Sequence, residues 1–466
     1  MPFPALLAAL LVPAQDSITP QLRPYVRVSA PVVALTHVRV IDGTGEPARP
    51  DQTVILRNGR IEAVGDPART PTPPDALVLD FEGRTVIPGL VMLHEHFFYP
   101  AGAAYYNWLG YSFPRLYLAG GVTTARTGGG MIPYADLNLR RDIETGRAPG
   151  PDLDVTGPYL NGPGLGIAGV KALRGPEDAR RMVEYWADEG ATSFKVYMQI
   201  SRAELAAVIE AAHRRGLKVT GHLCSVTFRE AADLGIDDLE HGLFASTDFA
   251  PNKEPDRCPA AGRGGPTELD VASEPVQRLI RHLVERRVAI TSTLPVFETL
   301  TPGRPRAPDK VLDAMLPETR DQYLRQFGAI AVDTSTVRRR LLATAMAFEL
   351  AFARAGGLLV AGTDPTGYGG VVAGFANHRE IELLVEAGFT PVEAIRIATL
   401  NGAIYLGRDR EIGSIAPGKR ADLVVVRGDP SSRIADIESV ELVFKRGLGY
   451  DPERLITAAH GLVGLR

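Results

Sequence analysis

The sequence predicts an α/β protein: a (β/α)8 TIM barrel with a small composite β-sandwich domain built from both ends of the chain. Two observations predict this fold. Between residues 88 and 406, short apolar strands alternate with amphipathic helices, an order typical of a parallel sheet covered by helices. Before and after that region, the chain consists of β-rich segments that are broken by Gly, Asn and Pro.

The first β-rich region covers residues 26–87. It contains VVALTHVRVID, QTVILRNG and RIEAVG, then the TPTPPD loop and the strands within LVLDFEGRTVI. The second, residues 407–450, contains IGSIAPG, ADLVVV and ESVELVFKRG. Because the two regions flank the central one, we predict that they form one composite β domain, and that residues 88–406 form the barrel domain.

Five predicted helices in the central region each precede an apolar strand. They cover residues 176–190, 202–216, 227–235, 274–287 and 336–356. The strands that follow are SFKVYM, LKVTGHL, DDLEHG, VAITSTL and LLVAGTD. Five such units within about 190 residues, with earlier strands near GGVTTAR and PDLDVTG, favour a closed barrel over an open sheet.

The composition is that of a folded globular protein of 466 residues, with 45% hydrophobic and 23% charged residues. The formal net charge of −4 gives no basic surface for nucleic acid. Two cysteines exclude a disulfide-rich scaffold and a four-cysteine zinc site. We expect a small-molecule substrate, no nucleic-acid partner, no membrane span and a homo-oligomeric state.

Residues 1–14 are interpreted as a short signal peptide. The apolar run at 5–12 is too short to cross a membrane, which takes about 20 residues. Val12 and Ala14 offer a small-residue cleavage site, although the segment has no Lys or Arg. A signal peptide would place the protein in the periplasm or outside the cell, whereas an apolar tail, the alternative, would leave it in the cytoplasm.

His94-Glu95-His96 follows the apolar segment TVIPGLVML. In a strand, residues i and i+2 project from the same face, so both imidazoles would point to one spot at the C-terminal end of the strand. An imidazole pair of this kind suits a divalent metal ion. The pattern is common by chance, and it is informative here because a buried strand precedes it.

Four further candidate residues end or follow other predicted strands: Lys195, His222, His241 and Asp364. Barrel active sites are built at these strand ends. A lysine in a buried strand is costly unless it is paired or neutral. We therefore interpret Lys195 as a carbamate, formed with carbon dioxide, that bridges two metal ions; the alternative is a lysine whose ammonium group reaches the barrel mouth.

Together, these motifs resemble those of the amidohydrolase superfamily. The resemblance is carried by TVIPGLVMLHEH, FKVY, VTGH, LEHG, GTD and TPVEAIRIATLNGAIYLGRDREIGSIAPGKRADLVVVRGDP. It extends from about residue 33 to 451. The chain is most similar to the imidazolonepropionase-like branch, which includes metal-dependent prolidases and Xaa-Arg/Lys-type carboxypeptidases.

The resemblance implies one or two divalent metal ions, usually zinc. The expected ligands are His94, His96 and Asp364 for the more buried ion, His222 and His241 for the second, and carboxylated Lys195 as the bridge.

The implied reaction is hydrolysis of an amide bond, in a dipeptide or N-acyl amino acid with an apolar side chain. Metal ions lower the pKa of bound water, and Asp364 as general base would pass the water's proton to the leaving amine. A cyclic-amide or lactone hydrolase, or a deaminase, remains an alternative. Deaminase relatives lack the bridging lysine, and many carry Glu where this chain has Ser225, which favours the amide hydrolase.

Three residues are candidates for substrate binding. Cys224 stands where many peptidase relatives carry a tyrosine that polarises the scissile carbonyl, and Tyr197 is the predicted substitute. Arg126 would pair with a substrate carboxylate or form a structural salt bridge. His378 is expected to face the site. The aromatic segment 97–113 would line an apolar pocket or pack between helix and barrel.

The two cysteines, Cys224 and Cys258, lie in loops that are neighbours if the barrel forms. In an oxidising compartment, a disulfide between them would hold the insertion at 245–270 over the site. The alternative is one buried and one exposed thiol.

Overall fold

The computed structural model describes residues 18–100, 105–165, 167, 169–170, 172–259 and 269–464. The predicted signal peptide, residues 1–14, lies outside the described residues. The strands are β1 (Val26–Val28), β2 (Val32–Val40), β3 (Arg49–Arg57), β4 (Arg60–Gly65), β5 (Leu77–Asp80), β6 (Arg84–Pro88), β7 (Leu90–Glu95), β8 (Phe98–Pro100), β9 (Tyr106–Trp108), β10 (Val122–Thr127), β11 (Asp152–Asp154), β12 (Ser193–Val196), β13 (Lys218–Gly221), β14 (Asp238–Glu240), β15 (Ala289–Ser292), β16 (Leu359–Ala361), β17 (Leu423–Arg427), β18 (Val440–Lys445) and β19 (Leu448–Tyr450).

The helices alternate with the strands of the central region, as the sequence predicts. They are α1 (Ser112–Ala119), α2 (Pro133–Glu144), α3 (Pro176–Asp188), α4 (Arg202–Arg214), α5 (Phe228–Leu234), α6 (Glu274–Glu285), α7 (Leu294–Thr299), α8 (Asp309–Ala314), α9 (Pro317–Ala331), α10 (Val337–Arg354), α11 (Phe375–Glu386), α12 (Pro391–Arg396), α13 (Gly402–Tyr405) and α14 (Pro452–Ala459). No helix among the described residues is long and apolar enough to cross a membrane.

Local sequence explains where several of these helices begin. Ser201 and Thr227 each accept a hydrogen bond from the backbone of a glutamate three residues later, and that glutamate binds back to the cap residue. These capping boxes satisfy backbone donors at the starts of α4 and α5. Helix α6 instead buries an apolar stripe at i, i+3, i+4 and i+7 spacing: Val276, Leu279, Ile280 and Leu283.

Strands from both ends of the chain form one mixed sheet of nine strands. Its order is β1-β19-β18-β17-β6-β2-β3-β4, and β5 pairs with β2. The antiparallel β17–β6 pair, with Leu423 opposite Pro88, joins the two terminal regions just before β7 begins. The predicted joining of both chain ends is therefore observed, but the predicted sandwich is not confirmed, because the described strands of both ends share this single sheet.

The central strands pair in parallel as two sheets. One has the order β11-β10-β7, and the other β12-β13-β14-β15-β16. Between β11 and β12, Thr156 and Ser193 form an isolated parallel bridge, and the backbone N–H groups of Thr363 and Asp364 donate to His94 O at 3.1 and 3.0 Å. The predicted closed ladder is not present among the described strands: isolated bridges and backbone hydrogen bonds from loop residues join the two sheets in place of paired strands.

Cys224 and Cys258 are joined by a disulfide, with their Cα atoms 4.9 Å apart. This confirms the pairing expected from the sequence. Two hydrogen bonds support the same contact: Thr247 Oγ1 donates to Cys224 O at 3.0 Å, and Lys253 Nζ donates to Ser225 O at 2.6 Å. The insertion up to residue 259 is thus fixed to the loop after β13, while residues 260–268 lie outside the described part of the chain.

Asp136 in α2 makes stability dependent on pH. Burial raises its pKa to about 7, although the Trp108 indole donates to its carboxylate at 3.1 Å. As pH rises, the Asp136 carboxyl ionises at a lower pH in the unfolded chain than in the native protein. The free energy of unfolding contributed by this group therefore decreases between about pH 4 and pH 7. We expect the urea midpoint of Asp136→Asn to fall less than that of the wild type between pH 5 and pH 8.

Asp309→Asn is the control for this experiment, since the Asp309 side chain is 82% exposed. Circular dichroism at both pH values measures the two midpoints. Equal losses of stability in wild type and Asp136→Asn would contradict the assignment of this pH dependence to Asp136.

Candidate metal centre

Three predicted ligands meet at the C-terminal ends of β7 and β16. One ligand atom each from His94, His96 and Asp364 lies within 4.8 Å of the others, an arrangement that could hold a metal ion. Asp364 Oδ1 is 3.2 Å from His96 Nε2 and 3.6 Å from His94 Nε2. The alternation of β7 thus projects both histidines to one side, as the H-x-H spacing predicts.

Two glycines allow the backbone to pass close to His94. A Cβ atom at Gly362 would lie 2.5 Å from the Cβ of His94, and one at Gly128 would lie 2.3 Å from its Cδ2. Asp364, with a φ of 51°, adopts the left-handed conformation just after β16. This turn brings its carboxylate back over the end of the strand, toward the imidazoles.

Partners of the Nδ1 atoms orient two of the histidines. His94 Nδ1 donates to Glu240 Oε2 at 2.6 Å, and His241 Nδ1 is hydrogen bonded to Thr293 Oγ1 at 2.7 Å. Their Nε2 atoms consequently face Asp364, and His241 Nε2 lies 3.8 Å from Asp364 Oδ2. A carboxylate behind a histidine fixes its tautomer and is a common feature of metal sites.

Lys195 is buried next to these ligands. Its Nζ atom lies 2.9 Å from His94 Nε2 and 5.7 Å from the centre of the Tyr159 ring. Burial lowers the pKa of Lys195, in spite of the nearby carboxylates of Glu240 and Asp364. The side chain therefore points into the ligand cluster and, at 1% exposure, does not reach solvent.

His222 completes the cluster on the side of the predicted second metal ion. Its ring centre is 4.4 Å from that of His241 and 4.9 Å from that of Tyr197. The structure thus brings Tyr197, predicted from its position two residues after Lys195, to the same pocket. Ser225 is turned away, because its hydroxyl donates to Ile200 O at 2.6 Å.

The electrostatics of the cluster favour an ionised Asp364 carboxylate beside the neutral imidazoles of His96 and His241. Burial alone would raise the pKa of Asp364, but the surrounding rings of His94, His96 and His241 hold it well below its usual range. Burial lowers the pKa of His96 to about 4 and that of His241 well below its ordinary value. Neutral imidazole and ionised carboxylate are the forms that bind divalent metals.

The hydrogen bonding of the cluster also fits a metal ion. His96 Nδ1, His96 Nε2 and His241 Nε2 are buried and make no hydrogen bond of normal geometry within the described ranges. Buried polar atoms are almost always satisfied, so these imidazole nitrogens beside one carboxylate fit the binding of a cation. The donor set of histidine nitrogen and carboxylate oxygen is one that zinc and similar ions accept.

Two predicted substrate-binding residues lie elsewhere. Arg126 is buried beneath the cluster, where its Nη2 donates to Asp238 at 2.8 Å and Glu240 at 3.0 Å, so it forms the structural salt bridge that was its alternative interpretation. His378 is also buried, and its Nε2 is bonded to Gly120 O at 2.8 Å. It lies on α11 and lines a separate groove with Gly120 and Val440, not the pocket at the metal ligands, so it does not face the site.

A small pocket of about 40 Å³ opens beside the ligands. Part of the aromatic segment after His96 lines it, as one of the two interpretations predicted: Phe98 and Tyr106 contribute, with Phe98 stacked on His96 at 4.2 Å. Phe97 and Phe113 pack in the core instead. Tyr159, which was not predicted from the sequence, lies in the same pocket with its ring 4.9 Å from that of Tyr197.

Glu240 is the main residue that sequence reasoning missed. A signal existed: Asp238 and Glu240 alternate along β14, so both project to one side and need a buried cation, which Arg126 supplies. Burial opposes ionisation of Glu240, but the neighbouring His94, Arg126 and Lys195 hold its pKa well below the usual range.

Comparison with known proteins agrees with this geometry. A model of the amidohydrolase family matches residues 85–448. The chain belongs to the amidohydrolase family. Adenine deaminase 3 of Rhizobium meliloti (strain 1021) is 38% identical to this amidohydrolase over 87 residues, which cover 18% of this chain and only 13% of the relative.

Solved structures resemble this amidohydrolase over nearly its whole length. A Bifidobacterium longum protein assigned as a prolidase has a TM-score of 0.66 and 26% identity, and the match covers 92% of this chain and 98% of that one. Bottromycin amidohydrolase has a TM-score of 0.69 and 23% identity, covering 96% and 95%. The second likeness supports the fold alone.

Glu240→Gln tests the orientation of His94 in this amidohydrolase. The neutral amide would hold the imidazole less firmly, and we expect divalent-metal affinity to fall about 10- to 100-fold. Competition with a chromophoric chelator measures the affinity. Glu349→Gln is a matched control, because Glu349 is also buried but binds Ser292 at 2.8 Å rather than a ligand histidine. Equal affinities in the two folded variants would contradict the role of Glu240.

Proposed function

We propose that this amidohydrolase-family protein is a metal-dependent hydrolase of carbon–nitrogen bonds. Its substrate is a dipeptide or N-acyl amino acid with an apolar side chain. The observation that carries the proposal is the position of Asp364, whose carboxylate lies within 3.8 Å of the Nε2 atoms of His94, His96 and His241, beside an aromatic-lined pocket. Such a carboxylate is placed to move a proton for a group bound in that pocket.

The proposed cofactors are two divalent ions, of zinc or a similar metal. His94, His96 and Asp364 would hold one, and His222 and His241 the other. When bound, such ions lower the pKa of water and polarise a carbonyl group.

Lys195 is proposed to carry the bridging carbamate. Burial lowers the pKa of its amine, which favours the neutral form, and a neutral amine adds to carbon dioxide by forming a C–N bond and releasing one proton. The product is an anion, which compensates for the positive charge of two metal ions far better than an ammonium group would.

Asp364 is proposed as the general base and then the general acid. Its carboxylate is ionised near neutral pH, so it can accept a proton from the attacking water. The same carboxyl group then returns the proton to the leaving amine as the C–N bond breaks. Tyr197, which lines the pocket with His222, is proposed to donate its phenolic proton in a hydrogen bond to the substrate carbonyl.

The two parallel sheets are proposed to act as one (β/α)8 frame, since ligands from both sheets meet around Asp364. We also propose that the protein works in the periplasm or outside the cell. The apolar segment at 5–12 and the Cys224–Cys258 disulfide support this location, because disulfides persist in oxidising compartments.

A deaminase is the second candidate function. The short segment shared with adenine deaminase 3 of Rhizobium meliloti (strain 1021) favours it. Against it, position 225 holds a serine that is bound to the backbone of Ile200 and cannot act as an acidic proton carrier. The two functions differ in their products, because a deaminase releases ammonia.

Product analysis separates these functions. The zinc-loaded enzyme is incubated with a library of dipeptides, N-acyl amino acids, cyclic amides and aminated heterocycles. We expect free amino acids without ammonia, which mass spectrometry and an ammonia assay detect. Release of ammonia would overturn the amide-hydrolase proposal in favour of the deaminase, and cleavage of cyclic amides alone would redirect it to ring opening.

Asp364→Asn should lower kcat at least about 100-fold on the best library substrate, because the amide cannot accept the proton. Asp136→Asn, a change of the same kind at a buried aspartate outside the pocket, should retain activity at pH 6. Circular dichroism verifies that both variants are folded. An Asp364→Asn enzyme with near-normal kcat would show that another residue is the base.

A further inference from the structure

A second, larger groove adjoins the metal pocket, and we propose that it binds the amino acid that hydrolysis releases. This inference rests on the proposed function and narrows its substrate class. The released residue has a large apolar side chain, aromatic by preference, and a free carboxylate. Phe244 and Phe297 receive the side chain, and Arg338 receives the carboxylate.

The groove has a cavity volume of about 400 Å³, compared with about 40 Å³ for the pocket at the metal ligands. The volume of the groove is within the usual range for small-molecule sites, whereas the metal pocket is too small to hold a large side chain as well as the scissile amide. Its walls come from the turn after β14, the end of α7 and the start of α10. The main lining residues are Phe244, Phe297, Leu300, Val337, Arg338 and Leu341.

The groove is continuous with the catalytic pocket. His222 lines both of them. The ring of Phe297 also meets that of His241 edge to face, with centres 5.7 Å apart. A substrate whose amide bond lies at His222 can therefore extend toward the groove.

A stacked aromatic pair contributes to the lining of the groove. The Phe244 and Phe297 rings are stacked with centres 3.6 Å apart and planes 5° from parallel. Val337, which is 43% exposed, adds apolar surface to the same lining. Covering such a surface with an aromatic or large aliphatic side chain removes apolar area from water on both partners.

Arg338 gives the groove a positive charge that no carboxylate balances. One of its nitrogens donates to Leu300 O at 3.1 Å, and it forms no ion pair with the residues that the structure describes. The nearby Arg304 and Arg379 are instead both paired with Glu298. A guanidinium with unused donors beside an apolar lining matches an amino acid that carries both an apolar side chain and an α-carboxylate.

Three substrates that share the same acyl group test the inference. This group is taken from the library member that the wild-type enzyme cleaves best. It is attached to L-phenylalanine, to 2-phenylethylamine, which lacks the carboxylate, or to glycine, which lacks the ring. The variants are Arg338→Met and its matched control Arg339→Met, because Arg339 also donates to a carbonyl of the same loop, Pro302 O at 3.1 Å, but does not line the groove.

We expect the wild type to cleave the phenylalanine derivative with the highest kcat/KM. Arg338→Met should lower that value about 10- to 100-fold, mainly through KM, and should change cleavage of the phenylethylamine derivative less than about threefold. Arg339→Met should change neither. Equal effects of the two substitutions, or equal cleavage of the glycine and phenylalanine derivatives by the wild type, would overturn the inference.

A binding measurement separates failure of this inference from failure of the proposed function. N-acetyl-L-phenylalanine is titrated calorimetrically into the zinc-loaded Asp364→Asn protein with and without Arg338→Met. If binding depends on Arg338 but the wild-type enzyme cleaves no library member, the hydrolase proposal is overturned and the role of the groove in binding is retained. If the wild-type enzyme cleaves library members but binding of N-acetyl-L-phenylalanine does not depend on Arg338, the hydrolase proposal is retained and the proposed role of the groove is overturned.

Discussion

The site depends on one buried cation, the guanidinium of Arg126. Asp238 and Glu240 project from β14 into the interior, and two carboxylates so close together could not both be buried there without a positive partner. With that charge balanced, Glu240 remains ionised and holds His94 by Nδ1. Each later feature, from the direction of His94 Nε2 to the environment of Lys195 and Asp364, follows from this contact.

The ligand set was predictable because each member follows an apolar strand. In parallel sheets such positions share one edge, so His94, His96 and Asp364 could be grouped although β7 and β16 are far apart in sequence. The partners behind them were not predictable in the same way. Glu240 is separated from His94 by 146 residues, and nothing local in the sequence says which buried acid faces which histidine. The role of Arg126, in substrate binding or in a structural salt bridge, could not be decided from the sequence for the same reason.

The fold, like the site, was predictable only in part. Alternation of strands and helices predicted the helices and the parallel pairing, since both follow from local periodicity. Closure of the barrel and stacking of the β domain depend on the lengths and twist of short strands, such as β11 and β16, which composition does not specify. We could not predict the groove lined by Phe244, Phe297 and Arg338, because its residues come from three segments that are distant in sequence.

The nine-stranded sheet also constrains how the chain is made. Val26 of β1 pairs with Tyr450 of β19, and β6 pairs with β17. On the ribosome, the first strands therefore emerge long before their partners are synthesised, and their apolar faces stay open while the central helices and strands form. Completion of this sheet is necessarily a late event in biogenesis, so chaperones that shield β strands would act on the early segments of the nascent chain.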